Sequence, residues 1–131
     1  MFNADGTPVS GVERVRRISE GLPYAQLDRV IARISPDDPS PRYMIESKAT
    51  LARRKRVQRL SGEESVKLVR MNATMQAAVD IWKSDAAARA FLFRPHPLLQ
   101  MERPLDVAMM NEFGAKLVRD ILMRLALGTS V

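Results

Sequence analysis

The segment from residue 62 to residue 83 constrains this chain more than any other. It is opened by Ser61-Gly62-Glu63-Glu64, an S-x-x-E capping box, and contains no proline. In such a box the serine hydroxyl accepts from the backbone N–H three residues on, and the glutamate reaches back to the serine N–H. Leu68, Met71, Met75, Ala78, Val79 and Trp82 then recur at helical spacing, and a milder line of Val66, Val69, Ala73 and Ala77 runs along the opposite side. A long helix with two apolar lines is expected to be covered on two sides. It should therefore join one group of elements to another. The chain has 131 residues and is 46% hydrophobic but only 5% aromatic. An aliphatic core of this kind favours helices over a β-sandwich, whose strands select β-branched and aromatic residues.

The flanking segments read as shorter helices. Residues 1–11 carry Gly, Pro, Asn and Ser and form a loose arm, and residues 12–19 can make a basic helical turn through Arg14, Arg16 and Arg17. Gly21-Leu22-Pro23 opens a helix whose apolar residues Leu27, Val30, Ile31 and Ile34 fall on one stripe. It ends at Ser35, because Pro36 disfavours helical geometry before it. After a turn, Tyr43, Met44 and Ile45 suggest one short helical turn, and Ser47 caps a helix over residues 48–58 anchored by Leu51. Beyond the long helix, Asp85 caps a helix carrying Phe91 and Leu92, which Pro95 and Pro97 stop. Pro104 starts a short helix through Met110, and Asn111 caps the last one. That helix carries Phe113, Leu117, Val118, Ile121, Leu122 and Leu125, an apolar face wide enough for both core and partner, before Gly128 stops it. The methionines, Met71, Met75, Met101, Met109, Met110 and Met123, fit either core gap-filling or an adaptable partner surface.

The predicted fold is thus all-α. An arm (1–20) precedes a small helix-turn-helix-like cluster (21–60), a long connector helix (61–84) and a C-terminal three-helix domain (85–131).

Catalytic chemistry finds little to work with. There is no cysteine, so disulfides and thiolate metal sites are excluded, and His96, the only histidine, lies between two prolines. Glu63 and Glu64 are explained by capping and by the helix dipole. No glycine-rich phosphate loop follows a strand. The chain is expected not to be an enzyme, with no catalytic or metal-ligating residues and no cofactor. No apolar run approaches the roughly 20 residues of a membrane span. The first residues lack the apolar core of a secretion signal, so cytoplasm is the expected compartment.

The net charge of +6 directs attention to polyanions. Arg53, Arg54, Lys55, Arg56 and Arg59 form a run with no acid between Ser47 and Gly62. A solvated charged face looks the same, but the order of elements favours a DNA reader: a helix, a turn, a very short helix, then a Ser-capped basic helix. Arginine can bridge guanine O6 and N7 with two hydrogen bonds, whereas lysine acts mainly as a point charge on phosphates. The candidate DNA-binding residues are Lys48, Thr50, Arg53, Arg54, Lys55, Arg56 and Arg59, with Thr50, Arg53 and Arg56 roughly opposite Leu51.

Two segments resemble antitoxins of the Xre/MbcA/ParS type from bacterial type II toxin–antitoxin pairs. The first runs from Gly21-Leu22-Pro23 through Ile34, then MIESKATLARRK from Met44 and RLSGEES from Arg59. The second holds Phe91-Leu92, Pro95, Leu99, Pro104-Leu105-Asp106, Glu112, Gly114, Val118, Leu122 and Gly128. The chain departs from the family at Phe91, where Trp is usual, at Asn111, where Thr is usual, and at Gln100-Met101, which stand for a Gly-Gly turn. That loop is expected to take a different backbone path. The resemblance implies that the 85–131 domain binds a toxin, with a RES-domain toxin that consumes NAD or transfers ADP-ribose as partner. It also implies promoter DNA as a second partner and a homodimer or higher-order toxin–antitoxin assembly, with no membrane. The antitoxin's C-terminal end would block the toxin's active site, which marks Arg124, Leu127, Gly128, Thr129, Ser130 and Val131 as candidate toxin-binding residues. A rival reading is a stand-alone dimeric transcriptional repressor with a C-terminal dimerisation domain.

Overall fold

In a computed structural model of the chain, residues 9–128 are described, and every regular element among them is helical. Ser10 caps α1 (Gly11–Glu20), accepting from the Glu13 N–H at 3.2 Å. Gly21 ends it at φ 104°, where a Cβ would sit 2.1 Å from the Leu60 carbonyl oxygen. Glycine is required there on both counts. Helix α2 (Tyr24–Ile34) buries Tyr24, Leu27, Ile31 and Ile34 and stops at Ser35, as the following proline dictates. A 3₁₀ turn (Ser40–Met44) leads to α3 (Lys48–Val57), capped by Ser47 and anchored by a single buried residue, Leu51. Gln58, in the left-handed region at φ 61°, turns the chain toward the long helix.

That helix, α4 (Gly62–Trp82), starts with both halves of the capping box formed. It packs against α1, α2, α5 (Asp85–Phe93), α6 (Pro104–Met110) and α7 (Glu112–Ala126). Its burial differs from the two-sided expectation. Leu68, Met71, Thr74, Met75 and Ala78 are buried with Glu64 and Ser65 along one broad arc, whereas Val66 and Ala73 of the second line are exposed. Val69 and Ala77 are half-buried. The helices on either side share one arc because they pack on the same side of α4. Thr74 enters the core because its hydroxyl donates to the Arg70 carbonyl at 2.8 Å, which removes the cost of burying it.

The core is one connected set from Tyr24 to Leu122. Direct bonds also tie α2 to α5: Arg89 Nε donates to the Arg33 carbonyl at 2.8 Å, and Arg33 faces Asp85 at 3.7 Å. Met71 and Met75 are core residues, whereas Met101, Met110 and Met123 are exposed.

Two local expectations are corrected. Ser84 rather than Asp85 caps α5, accepting from the Ala87 N–H at 3.0 Å, because the serine oxygen lies one residue before the first helical turn. The Gln100-Met101 loop was expected to follow a path unlike a Gly-Gly turn. Instead both residues hold positive φ, 54° and 66°, the conformation that glycine favours. A 3₁₀ turn (Pro97–Leu99) and the pairing of His96 with Glu102 hold the loop in that shape. Behind it, a Cβ at Gly114 would lie 2.0 Å from the Val107 carbonyl, so glycine is what lets α7 cross close over α6.

Candidate functional site

Helix α3 presents its charge on a surface held from behind. Arg54 is turned inward: its Nε donates to Glu64 Oε1 at 3.0 Å and its Nη2 to Oε2 at 3.1 Å. The Glu64 side chain is 4% exposed and also accepts from the Ser61 N–H at 2.9 Å. Burial pushes the Glu64 carboxyl up, but the hydrogen bonds from Arg54 and Ser61 and the Arg54 charge outweigh it, so it sits below the ordinary glutamate value. The same pairing raises Arg54. Arg59 is anchored as well, with Nη1 donating to the Gly21 carbonyl at 2.6 Å. These two arginines lock the end of α3 to α1 and α4.

The remaining five candidates on α3 differ. Lys48, Arg53, Lys55 and Arg56 are exposed, and Thr50 is half-buried. Arg53 lies along the helix with Nη2 on Thr50 Oγ1 at 3.2 Å, and Thr50 Oγ1 meets the Ser47 hydroxyl at 3.1 Å. The exposed face opposite Leu51 is therefore built from Arg53 and Arg56, with Thr50 at its N-terminal edge.

A second surface lies on α7. Val118, Ile121 and Leu122 are buried, while Phe113 (84% exposed), Leu117, Met123 and Leu127 face outward. The wide apolar face thus splits into a core side and a solvent side. Phe113 and Leu117, one turn apart, form an adjacent pair. Of the tail candidates, Arg124, Leu127 and Gly128 are exposed, Gly128 at φ 74°. Thr129, Ser130 and Val131 lie outside the described residues. Phe113, Leu117 and Met123 were absent from the sequence-based site set, although a helical wheel places all three outside the arc of Val118, Ile121 and Leu122. His96 is used locally: Nδ1 accepts from the Leu98 N–H at 3.1 Å and the ring meets Phe91 edge-on at 6.1 Å.

Among the described residues no group of three His, Cys, Asp or Glu side chains could hold a metal ion, and no helix is long and apolar enough to cross a membrane. No curated protein matches the chain. A family model described as the antitoxin Xre/MbcA/ParS C-terminal toxin-binding domain matches residues 77–128, from within α4 to the glycine after α7. The match covers about two-fifths of the chain and takes in the outward apolar face of α7, so this part of the chain is similar to the toxin-binding domain of Xre/MbcA/ParS-type antitoxins.

Proposed function

We propose that this chain is an antitoxin that neutralises a RES-type, NAD-consuming toxin by laying α7 and the residues after it over the toxin's active site. It represses its own operon by seating α3 in promoter DNA. The observation that carries the toxin contact is the solvent side of α7, where Phe113, Leu117, Met123 and Leu127 stand exposed within the family-matched segment. Large apolar side chains gathered on a surface mark partner sites. The DNA contact is supported by the α3 face of Arg53 and Arg56, on a helix whose back is pinned by Arg54 and Arg59. A rigidly held recognition helix loses little entropy on binding.

The two surfaces are separable. Removing residues 128–131 should weaken neutralisation, read as growth of cells expressing the toxin, while promoter binding survives; full protection by the truncated chain would sink the blocking role. Conversely, Arg53→Ala should leave neutralisation intact and cost roughly 1–3 kcal/mol of promoter affinity if the side chain reads a base. Unchanged affinity in a gel-shift titration would remove Arg53 from the reading face.

A further inference from the structure

Beside α3 lies a groove that the recognition helix does not account for. It opens between α1, α2 and α4, with a volume of about 810 Å³. Its floor includes the apolar Leu22, Val30 and Leu68, and four arginines line it: Arg14 and Arg17 from α1, Arg29 from α2, and Arg59 from just past α3. Glu13 and Glu20 are the acids of the lining, and Glu13 is already engaged by Arg16 and Arg17 at 3.1 and 3.3 Å. The side chains of Arg14 and Arg29 have no hydrogen-bond or ion-pair partner among the described residues, and both are exposed. Arg59 spends one of its five donors on Gly21, which fixes the guanidinium and leaves donors available. Gln26 and Asn72 add neutral amide donors to the wall.

We propose that this groove takes the sugar–phosphate backbone of the DNA whose major groove receives α3. The inference rests on the reading of α3 as a DNA-binding helix. An apolar floor with a guanidinium rim suits a strand that alternates deoxyribose and phosphate, since arginine pairs with phosphate oxygens through two parallel N–H groups. The position suits it too. A recognition helix of this kind sets its N-terminal residues on base edges, which leaves its C-terminal end toward the phosphate backbone. The C-terminal end is the one that meets the groove. There the backbone bonds from the Tyr24 N–H to the Gln58 carbonyl (3.1 Å) and from the Leu60 N–H to the Leu22 carbonyl (2.9 Å) hold Arg59 against the start of α2. The same bonds tie the end of α3 to the wall of the groove. Contacts of this kind set orientation and salt dependence and carry no sequence information.

The test is promoter-duplex binding by the full chain across 50 to 200 mM salt, for the unmodified protein, Arg14→Gln/Arg29→Gln, and Arg53→Ala. Both groove positions are exposed, so the double variant should melt like the parent by circular dichroism. Each lost phosphate contact should make the slope of log affinity against log salt shallower by about 0.9, so the double variant should bind more weakly at low salt. Its deficit should shrink by about tenfold between 50 and 200 mM, equally on promoter and scrambled duplexes. Arg53→Ala should instead narrow the gap between those two duplexes. A double variant with unchanged slope overturns the groove assignment while Arg53→Ala can still show α3 at work. Loss of toxin neutralisation with promoter binding intact overturns it too and assigns the groove to the toxin. No binding by the unmodified chain to its promoter overturns the α3 reading itself.

Discussion

Replacing Glu64 by alanine should lower the stability of the folded chain by on the order of 3 kcal/mol. The carboxylate is buried, completes the capping box at the start of α4, and holds the Arg54 guanidinium through three hydrogen bonds. Removing one partner of a buried pair costs roughly 3–5 kcal/mol, and the lower end applies because Arg54 is itself a third exposed and can rehydrate. Urea melts at neutral pH should show the loss directly. The carboxylate also sets a pH dependence. Its folded-state value is depressed, so the unfolded chain takes up the proton first as pH falls. Its contribution is complete above the ordinary glutamate value of about 4.3 and is lost as pH drops below that through the folded-state value. The stability gap between the parent and Glu64→Gln should therefore be open at pH 7 and narrow toward pH 3. A gap of the same size at both values would mean that the charge of Glu64 contributes nothing. Because Glu64 holds the back of α3, its loss should also weaken promoter binding under conditions where the chain is still folded.

The double substitution Phe113→Asp/Leu117→Asp should cost at least about a hundredfold in toxin affinity without lowering the melting temperature. Both side chains are exposed in the chain alone, so they contribute little to its fold. At an interface the same exposure reverses the argument: truncating an aromatic anchor typically costs 2 kcal/mol or more, and every 1.4 kcal/mol is tenfold. Two carboxylates left unpaired against an apolar toxin surface add a desolvation cost. Calorimetric titration with a RES-domain toxin that the chain neutralises would measure it. Affinity within threefold of the parent would move the docking surface away from this face of α7.

Much of this architecture is local, and local signals are legible in a sequence. The Ser61–Glu64 capping box, the stripe on α2, the stop before Pro36 and the lone anchor Leu51 each depend on residues within one or two turns. The glycine-type backbone at Gln100 and Met101 was not legible, because neither residue prefers it and the flanking pairing imposes it.

The candidate sites divide along the same line. The run of charge at residues 53–59 is plain in the sequence, but the internal uses of Arg54 and Arg59 are not. Their partners lie 10 and 38 residues away, and nothing in the run distinguishes an arginine that turns inward from one that faces water. On α7 the sequence shows that the apolar face is broader than one core needs, while only the placement of α6 and α4 decides that Val118 and Leu122 are covered and Phe113 is not. Helices, their ends and the all-α class were determined by the sequence alone, because capping, proline and periodicity act within a few residues. The covered arc of α4, the arginines that brace α3 and the face of α7 left to solvent were decided by tertiary packing, because burial is a property of which surfaces meet.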